Sequence, residues 1–60
     1  MAKFELYRDG RQEFRWRLKA SNGEVIAESG EGYTTKASAQ NGIASVKKNA
    51  EPAEIDDLTT

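Results

Sequence analysis

Between residues 13 and 20 apolar and charged side chains alternate, with Phe14, Trp16 and Leu18 set against Glu13, Arg15, Arg17 and Lys19. A period of two puts the apolar set on one face of a strand and the charged set on the other. Residues 3–8 repeat the pattern, with Phe4 and Leu6 on one side and Lys3, Glu5 and Tyr7 on the other. Residues 24–28 read as a third strand, with Val25 and Ala27 inward and Ile26 outward. Asn22-Gly23 is the signal for a two-residue type I′ turn. It predicts Ser21 opposite Glu24, Leu18 opposite Ala27 and Arg17 opposite Glu28. The turn after the first strand obeys a parity rule. Phe4 and Leu6 share a face with Phe14 and Trp16 only if paired residue numbers sum to an even value, which a two-residue Asp9-Gly10 loop would violate. A three- or five-residue loop or a bulge is therefore predicted, with Gly10 in the left-handed region.

From residue 36 to 49 the period lengthens. Ala39, Ile43, Val46 and Ala50 are spaced four, three and four apart, one stripe along a helix. Thr34 or Thr35 is the natural N-cap. Lys47 and Lys48 sit in the last turn, where they complement the helix dipole, and Pro52 stops the helix. Gly42 breaks the rule, since a mid-helix glycine costs about 1 kcal/mol relative to alanine. The stripe continues through it, and close approach of helix to sheet accounts for both Gly42 and the small Ala39. Ile55 and Leu58 stand among acids in a short C-terminal strand, expected at about 54–58. The predicted architecture is α+β in one domain over residues 1–60. A three-stranded antiparallel sheet has its Phe14/Trp16/Leu18 face covered by one helix, and a short strand follows.

Size sharpens this picture. Sixty residues bury only about 60% of the surface that the unfolded chain exposes. Small domains compensate with a disulfide, a metal or a partner chain. There is no cysteine and no histidine, so neither a disulfide nor the commonest zinc ligands are to hand. Another copy of the chain is the remaining way to enlarge the core. No apolar run approaches a membrane span or a signal-peptide core, and a soluble, cytoplasmic protein is expected.

The net charge of −1 hides an uneven distribution. Residues 3–19 carry six basic and three acidic side chains, and residues 20–34 carry only Glu24, Glu28 and Glu31. Residues 35–50 carry Lys36, Lys47 and Lys48, and the tail carries Glu51, Glu54, Asp56 and Asp57. An acidic tail of this kind pairs with the basic hairpin or helix, within a chain or across a dimer, and so helps choose register and partner.

Chemistry is scarce. Without histidine or cysteine no ordinary nucleophile–base pair exists, and Ser21, Ser29, Ser38 and Ser45 fall in turn, loop or helix positions that explain them structurally. Glu54, Asp56 and Asp57 supply oxygen donors, but adjacent acids on a strand point to opposite faces, and a solvated tail explains them. Gly30-Glu31-Gly32 lacks the Lys-Ser/Thr of a phosphate loop. No catalytic residue, cofactor or metal site is therefore expected. Tyr7, Arg15, Arg17 and Lys19 form a basic outer sheet face suited to phosphate tracking and base stacking. Against that reading, Glu5, Glu13, Glu24 and Glu28 interleave with the cations, and the pI of about 5.3 is acidic where a nucleic-acid binder is strongly basic.

Taken together, several segments resemble a single repeat of the YegP-like family, small bacterial and archaeal proteins classed as a domain of unknown function. The resemblance runs from Lys3 to Leu58. It is carried by Lys3-Phe4-Glu5-Leu6-Tyr7, Phe14-Arg15-Trp16-Arg17-Leu18-Lys19-Ala20 and Asn22-Gly23-Glu24-Val25-Ile26-Ala27. Glu31-Gly32-Tyr33, Lys36-Ala37-Ser38-Ala39, Asn41-Gly42-Ile43 and Ser45-Val46-Lys47-Lys48-Asn49-Ala50 continue it. Trp16 stands where phenylalanine is common, and the loop Asp9-Gly10-Arg11-Gln12 places its glycine early. The resemblance implies a β-β-β-α-β unit that works in pairs. Single-repeat members form homodimers with one continuous sheet and exchanged C-terminal strands, which would give Ile55 and Leu58 contacts on the other protomer. Exchange and fold-back on the same chain both satisfy the sequence pattern. The resemblance brings no activity, substrate or catalytic residue. The missing catalytic chemistry and the undersized core, read beside this resemblance, point to a non-enzymatic structural or interaction module whose first partner is itself, with room for a further protein partner.

Overall fold

The computed structural model describes residues 1–59. Three strands, β1 (Lys3–Arg8), β2 (Phe14–Lys19) and β3 (Val25–Glu28), form an antiparallel sheet in the order β1-β2-β3. The helix α1 (Lys36–Asn49) packs on β2 and β1. Thr35 is its N-cap, and Thr35 Oγ1 accepts from the Ser38 backbone N–H at 3.1 Å.

The parity rule holds in the first hairpin. Phe4 faces Leu18, Leu6 faces Trp16 and Arg8 faces Phe14, so the apolar residues of both strands lie under the helix. The loop has three residues, closed by Asp9 N donating to Glu13 O and Gln12 N donating to Asp9 O. The left-handed residue is Gln12, at φ 66°, and not Gly10 as expected. A type I turn followed by one left-handed residue is the standard three-residue hairpin, and its left-handed place is the third. Gly10 stands two places too early to fill it. Asp9 compensates by accepting from Arg11 N at 2.8 Å and Glu13 N at 3.1 Å.

The second hairpin uses the same device. Gly23 N donates to Ala20 O, Ala20 N donates to Glu24 O, and only Gly23 is left-handed, at φ 89°. A three-residue loop thus replaces the two-residue type I′ turn that Asn22-Gly23 predicted. The body of the hairpin keeps the expected pairs, Arg17 with Glu28 and Leu18 with Ala27. One residue must absorb the difference between tip and body, and Ile26 is the bulged one. Val25 consequently pairs with Lys19 and is 48% exposed, which corrects its expected core position. Ile26 is 60% exposed.

The interior is thin. Among the described residues the buried ones are Trp16, Ala39 and Ser29. Phe4 meets Trp16 edge to face at 5.7 Å between ring centres. Phe14 and Tyr33 exchange two backbone hydrogen bonds of 2.8 Å, which strap the β3–α1 loop to β2. Ser29 ties the same strand from within: its N donates to Trp16 O, and its Oγ accepts from Trp16 N at 3.2 Å.

Gly42 lies where the helix meets Trp16 and Tyr33. A methyl group there would stand 2.8 Å from the Tyr33 hydroxyl and 3.1 Å from the Trp16 indole nitrogen.

The expected C-terminal strand at about 54–58 is absent from the single chain. Residues 53–59 have no regular secondary structure and are exposed. A strand needs a neighbour to receive its backbone hydrogen bonds, and no strand of the same chain lies beside this segment.

Two substitutions test these contacts. Gln12→Gly relieves a left-handed non-glycine residue and is expected to stabilise by about 0.5–1 kcal/mol in urea unfolding. Gly42→Ala raises helix propensity, yet the crowding against Trp16 and Tyr33 is the larger effect, and a net loss of about 1 kcal/mol is expected in the same measurement.

Candidate functional site

The sheet face away from the helix carries the residues that the sequence singled out. Tyr7 and Arg15 are opposite each other, and Arg17 and Lys19 follow along β2. The register brings all four onto one face, together with Glu5 and Asp9. Arg15 Nε lies 2.6 Å from Asp9 Oδ2, and Arg17 Nε lies 2.7 Å from Glu5 Oε1. Lys19 Nζ is 3.6 Å from the same Glu5 oxygen. The Arg17 guanidinium also covers the Tyr7 ring at 4.5 Å, so that ring already has a stacking partner. The cross-strand partner that Arg17 takes is therefore Glu5, although Glu28 stands opposite it as predicted.

These contacts shift the titrations of the face. The hydrogen bond from Arg17 lowers the Glu5 pKa against the opposing effect of burial, with Lys19 adding to the lowering. The hydrogen bond from Arg15 lowers Asp9 in the same way, helped by the Glu13 and Arg11 backbone N–H groups. The two arginines are raised correspondingly.

The other side of β1 is different. An open cleft of about 260 Å³ lies at the seam of β1 with the start of α1, lined by Leu6, Tyr7, Arg8, Phe14 and Lys36. Arg8 lies over the Phe14 ring at 4.7 Å. Neither Arg8 nor Lys36 has an ion-pair partner among the described residues. The sequence pattern pointed to Arg15, Arg17 and Lys19, which are paired, and missed Arg8 and Lys36, which are not. One signal was present: Arg8 has the parity of Phe4 and Leu6, which places a cation on the apolar face.

The backbone at this seam is open as well. The bond from Asp9 N to Glu13 O marks residues 9 and 13 as a hydrogen-bonded pair. Alternation along an antiparallel ladder then makes Tyr7/Arg15, Glu5/Arg17 and Lys3/Lys19 the bonded pairs. The N–H and C=O groups of Phe4, Leu6 and Arg8 point out of the sheet at its free edge. Ile55 and Leu58, expected at a dimer contact, are 95% and 80% exposed and touch no core in the single chain. No helix among the described residues is long and apolar enough to cross a membrane.

A three-stranded meander backed by one helix, with an open edge, defines a small α+β building block. The family described as "Domain of unknown function (DUF1508)" matches residues 9–57. A UPF0339 protein of Agrobacterium fabrum is 53% identical over 60 residues, covering 100% of this chain and 95% of that one. The UPF0339 protein encoded in the ptx operon 5′ region of Stutzerimonas stutzeri is 57% identical over 47 residues, which are 78% of this chain but only 41% of that longer protein. The solution NMR structure of a protein from Haloferax volcanii superposes with a TM-score of 0.87 at 46% identity, covering 95% of each chain. The chain belongs to the DUF1508/UPF0339 family, the small YegP-like domain of unknown function.

The outer-face ion pairs set a pH dependence. Folded-state pKa values of Glu5 and Asp9 lie below their ordinary values of 4.5 and 3.8. Their contribution is complete above those ordinary values and is lost as pH falls through the depressed ones. Stability is expected to decline as pH drops below about 4, and Glu5→Gln with Asp9→Asn is expected to flatten that decline in urea unfolding across pH.

Proposed function

We propose that this chain is a non-enzymatic homodimeric module in which each C-terminal segment, centred on residues 54–58, adds as a strand to the other protomer. The observation that carries this reading is uncovered surface. The chain exposes 4960 Å², whereas a folded monomer of this mass exposes about 3,900 Å². The excess of about 1,000 Å² is close to the ~800 Å² that each partner buries in a stable complex. The Cα radius of gyration of 13.0 Å likewise exceeds the value of about 10 Å for a compact chain of this length.

Edge chemistry supports a location for the added strand. β3 is short, bulged at Ile26 and ends on Glu28, all features that discourage pairing. β1 is six residues long, regular and open along Phe4, Leu6 and Arg8. Joining two β1 edges through exchanged tails gives one continuous sheet. The longer Stutzerimonas relative, of which this chain matches 41%, has length for a second such unit.

Nucleic-acid binding through Tyr7, Arg15, Arg17 and Lys19 is the weaker reading, because those cations are neutralised by Glu5 and Asp9 within the same face. A module of this kind acts by presenting a paired surface to a further protein.

Size-exclusion chromatography with light scattering is expected to give twice the monomer mass of 6.7 kDa. Removal of residues 53–60 is expected to yield monomer with a lower melting temperature. A truncated protein that stays dimeric with unchanged melting refutes strand exchange.

A further inference from the structure

Three places along the chain set a residue able to close a succinimide ring before a glycine: Asp9-Gly10, Asn22-Gly23 and Asn41-Gly42. Glycine offers its backbone nitrogen with no side chain in the way. The fold decides which of the three can react.

Asp9 is closed to attack. Arg15 Nε holds its Oδ2 at 2.6 Å, and the Arg11 and Glu13 N–H groups hold Oδ1 at 2.8 and 3.1 Å. These contacts keep the carboxylate ionised, which leaves its carbon a poor electrophile. Asn41 is closed for another reason. It lies within α1, where the Gly42 N–H belongs to the helical hydrogen-bond ladder. Ring closure there requires the helix to open, and Gly42 also abuts Trp16 and Tyr33.

Asn22 has neither protection. It is exposed at the tip of the β2–β3 hairpin. Its Oδ1 accepts from the Glu24 N–H at 3.0 Å, an Asx turn that folds the side-chain amide back over the Gly23 peptide. Attack on Cγ puts negative charge on that same Oδ1, and the Glu24 N–H already points at it, as the donor of an oxyanion hole does. One bond resists, from Gly23 N to Ala20 O at 2.9 Å. It lies at an exposed hairpin end, where local opening costs least.

We propose that Asn22 is a self-modification site, at which the hairpin tip converts to an isoaspartyl or aspartyl residue while Asp9 and Asn41 stay intact. Hydroxide takes the Gly23 N–H proton, and the nitrogen bonds Asn22 Cγ. The Cγ–Nδ2 bond breaks, and Nδ2 takes a proton from water and leaves as ammonia. Water then opens the succinimide. Cleavage of the N–Cγ bond gives the aspartyl residue, and cleavage between nitrogen and the main-chain carbonyl gives the isoaspartyl one. Either product adds one negative charge to a chain of net charge −1. The isoaspartyl form also lengthens the main chain at the tip by a carbon, which disrupts the closure between Gly23 and Ala20.

The test incubates the full-length protein near neutral pH, folded and in concentrated urea, with Trp16 fluorescence confirming each state. Trypsin releases Asn22 within residues 20–36 and Asn41 within residues 37–47. Mass spectrometry therefore follows the two sites separately, and electron-transfer fragmentation tells isoaspartyl from aspartyl. In urea the two Asn-Gly pairs are expected to react within about threefold of each other. In the folded protein Asn41 is expected to slow roughly tenfold or more, while Asn22 stays within about threefold of its urea rate. Asn22→Gln, whose longer side chain closes the ring poorly, is expected to abolish the product in residues 20–36. A folded protein in which Asn22 reacts as slowly as Asn41 overturns the assignment.

Discussion

The contact on which the rest depends is that between the Trp16 indole and the backbone of α1 at Gly42. Trp16 is 6% exposed, and no other large side chain of the described residues is as well covered. A helix carrying any larger residue at position 42 would ride higher, and the gap would open over the one deep apolar contact. The glycine sacrifices about 1 kcal/mol of helix propensity. Covering a tryptophan, which buries 150–250 Å² on typical aromatic figures, is worth more, at roughly 25 cal/mol per Å². Ala39, fully buried one turn earlier, obeys the same spacing requirement. Tyr33 and Ser29 then fix the β3–α1 loop to β2 by backbone pairing and a buried hydroxyl, so the helix starts at the right height.

Much of the fold was legible because side-chain periodicity is a local property. Alternation at Phe14, Trp16 and Leu18, the Ala39/Ile43/Val46 stripe and the parity rule each follow from a few neighbouring residues. The turns were less legible. Two hairpin solutions, a type I′ pair or a type I turn with one left-handed residue, differ little in local energy, and Asn22-Gly23 suits both. The strap between Phe14 and Tyr33 and the bulge at Ile26 belong to the fold as a whole. Gly10 misled because a glycine is permitted in the left-handed region without being required there, and the geometry of the loop assigned that place to Gln12. Tertiary context likewise hid the site. Which cations are paired depends on register, and the sequence cannot show that Glu5 reaches Arg17 and Lys19 while no carboxylate among the described residues pairs with Arg8.

Charge is handled differently on the two faces of the sheet. On the outer face acids and bases meet within the chain and neutralise one another, so a flat, solvent-facing sheet surface carries little net field. On the helix side Arg8 and Lys36 have no ion-pair partner among the described residues and stand beside Leu6 and Phe14, while Glu51, Glu54, Asp56 and Asp57 lie beyond the helix in the tail.

The two edges of the sheet follow the same logic. An open strand edge invites indiscriminate pairing, and β3 is guarded by its bulge and its brevity. β1 has no such guard in its backbone, so its protection must come from side chains, and the cations at its rim provide it. They raise the cost of docking any strand that does not bring carboxylates, while the apolar cleft favours one that brings a bulky aliphatic residue as well. Hydrophobic burial alone would make the edge sticky, and charge alone would make it weak. The combination narrows what can pair there to an acidic strand that brings an apolar side chain.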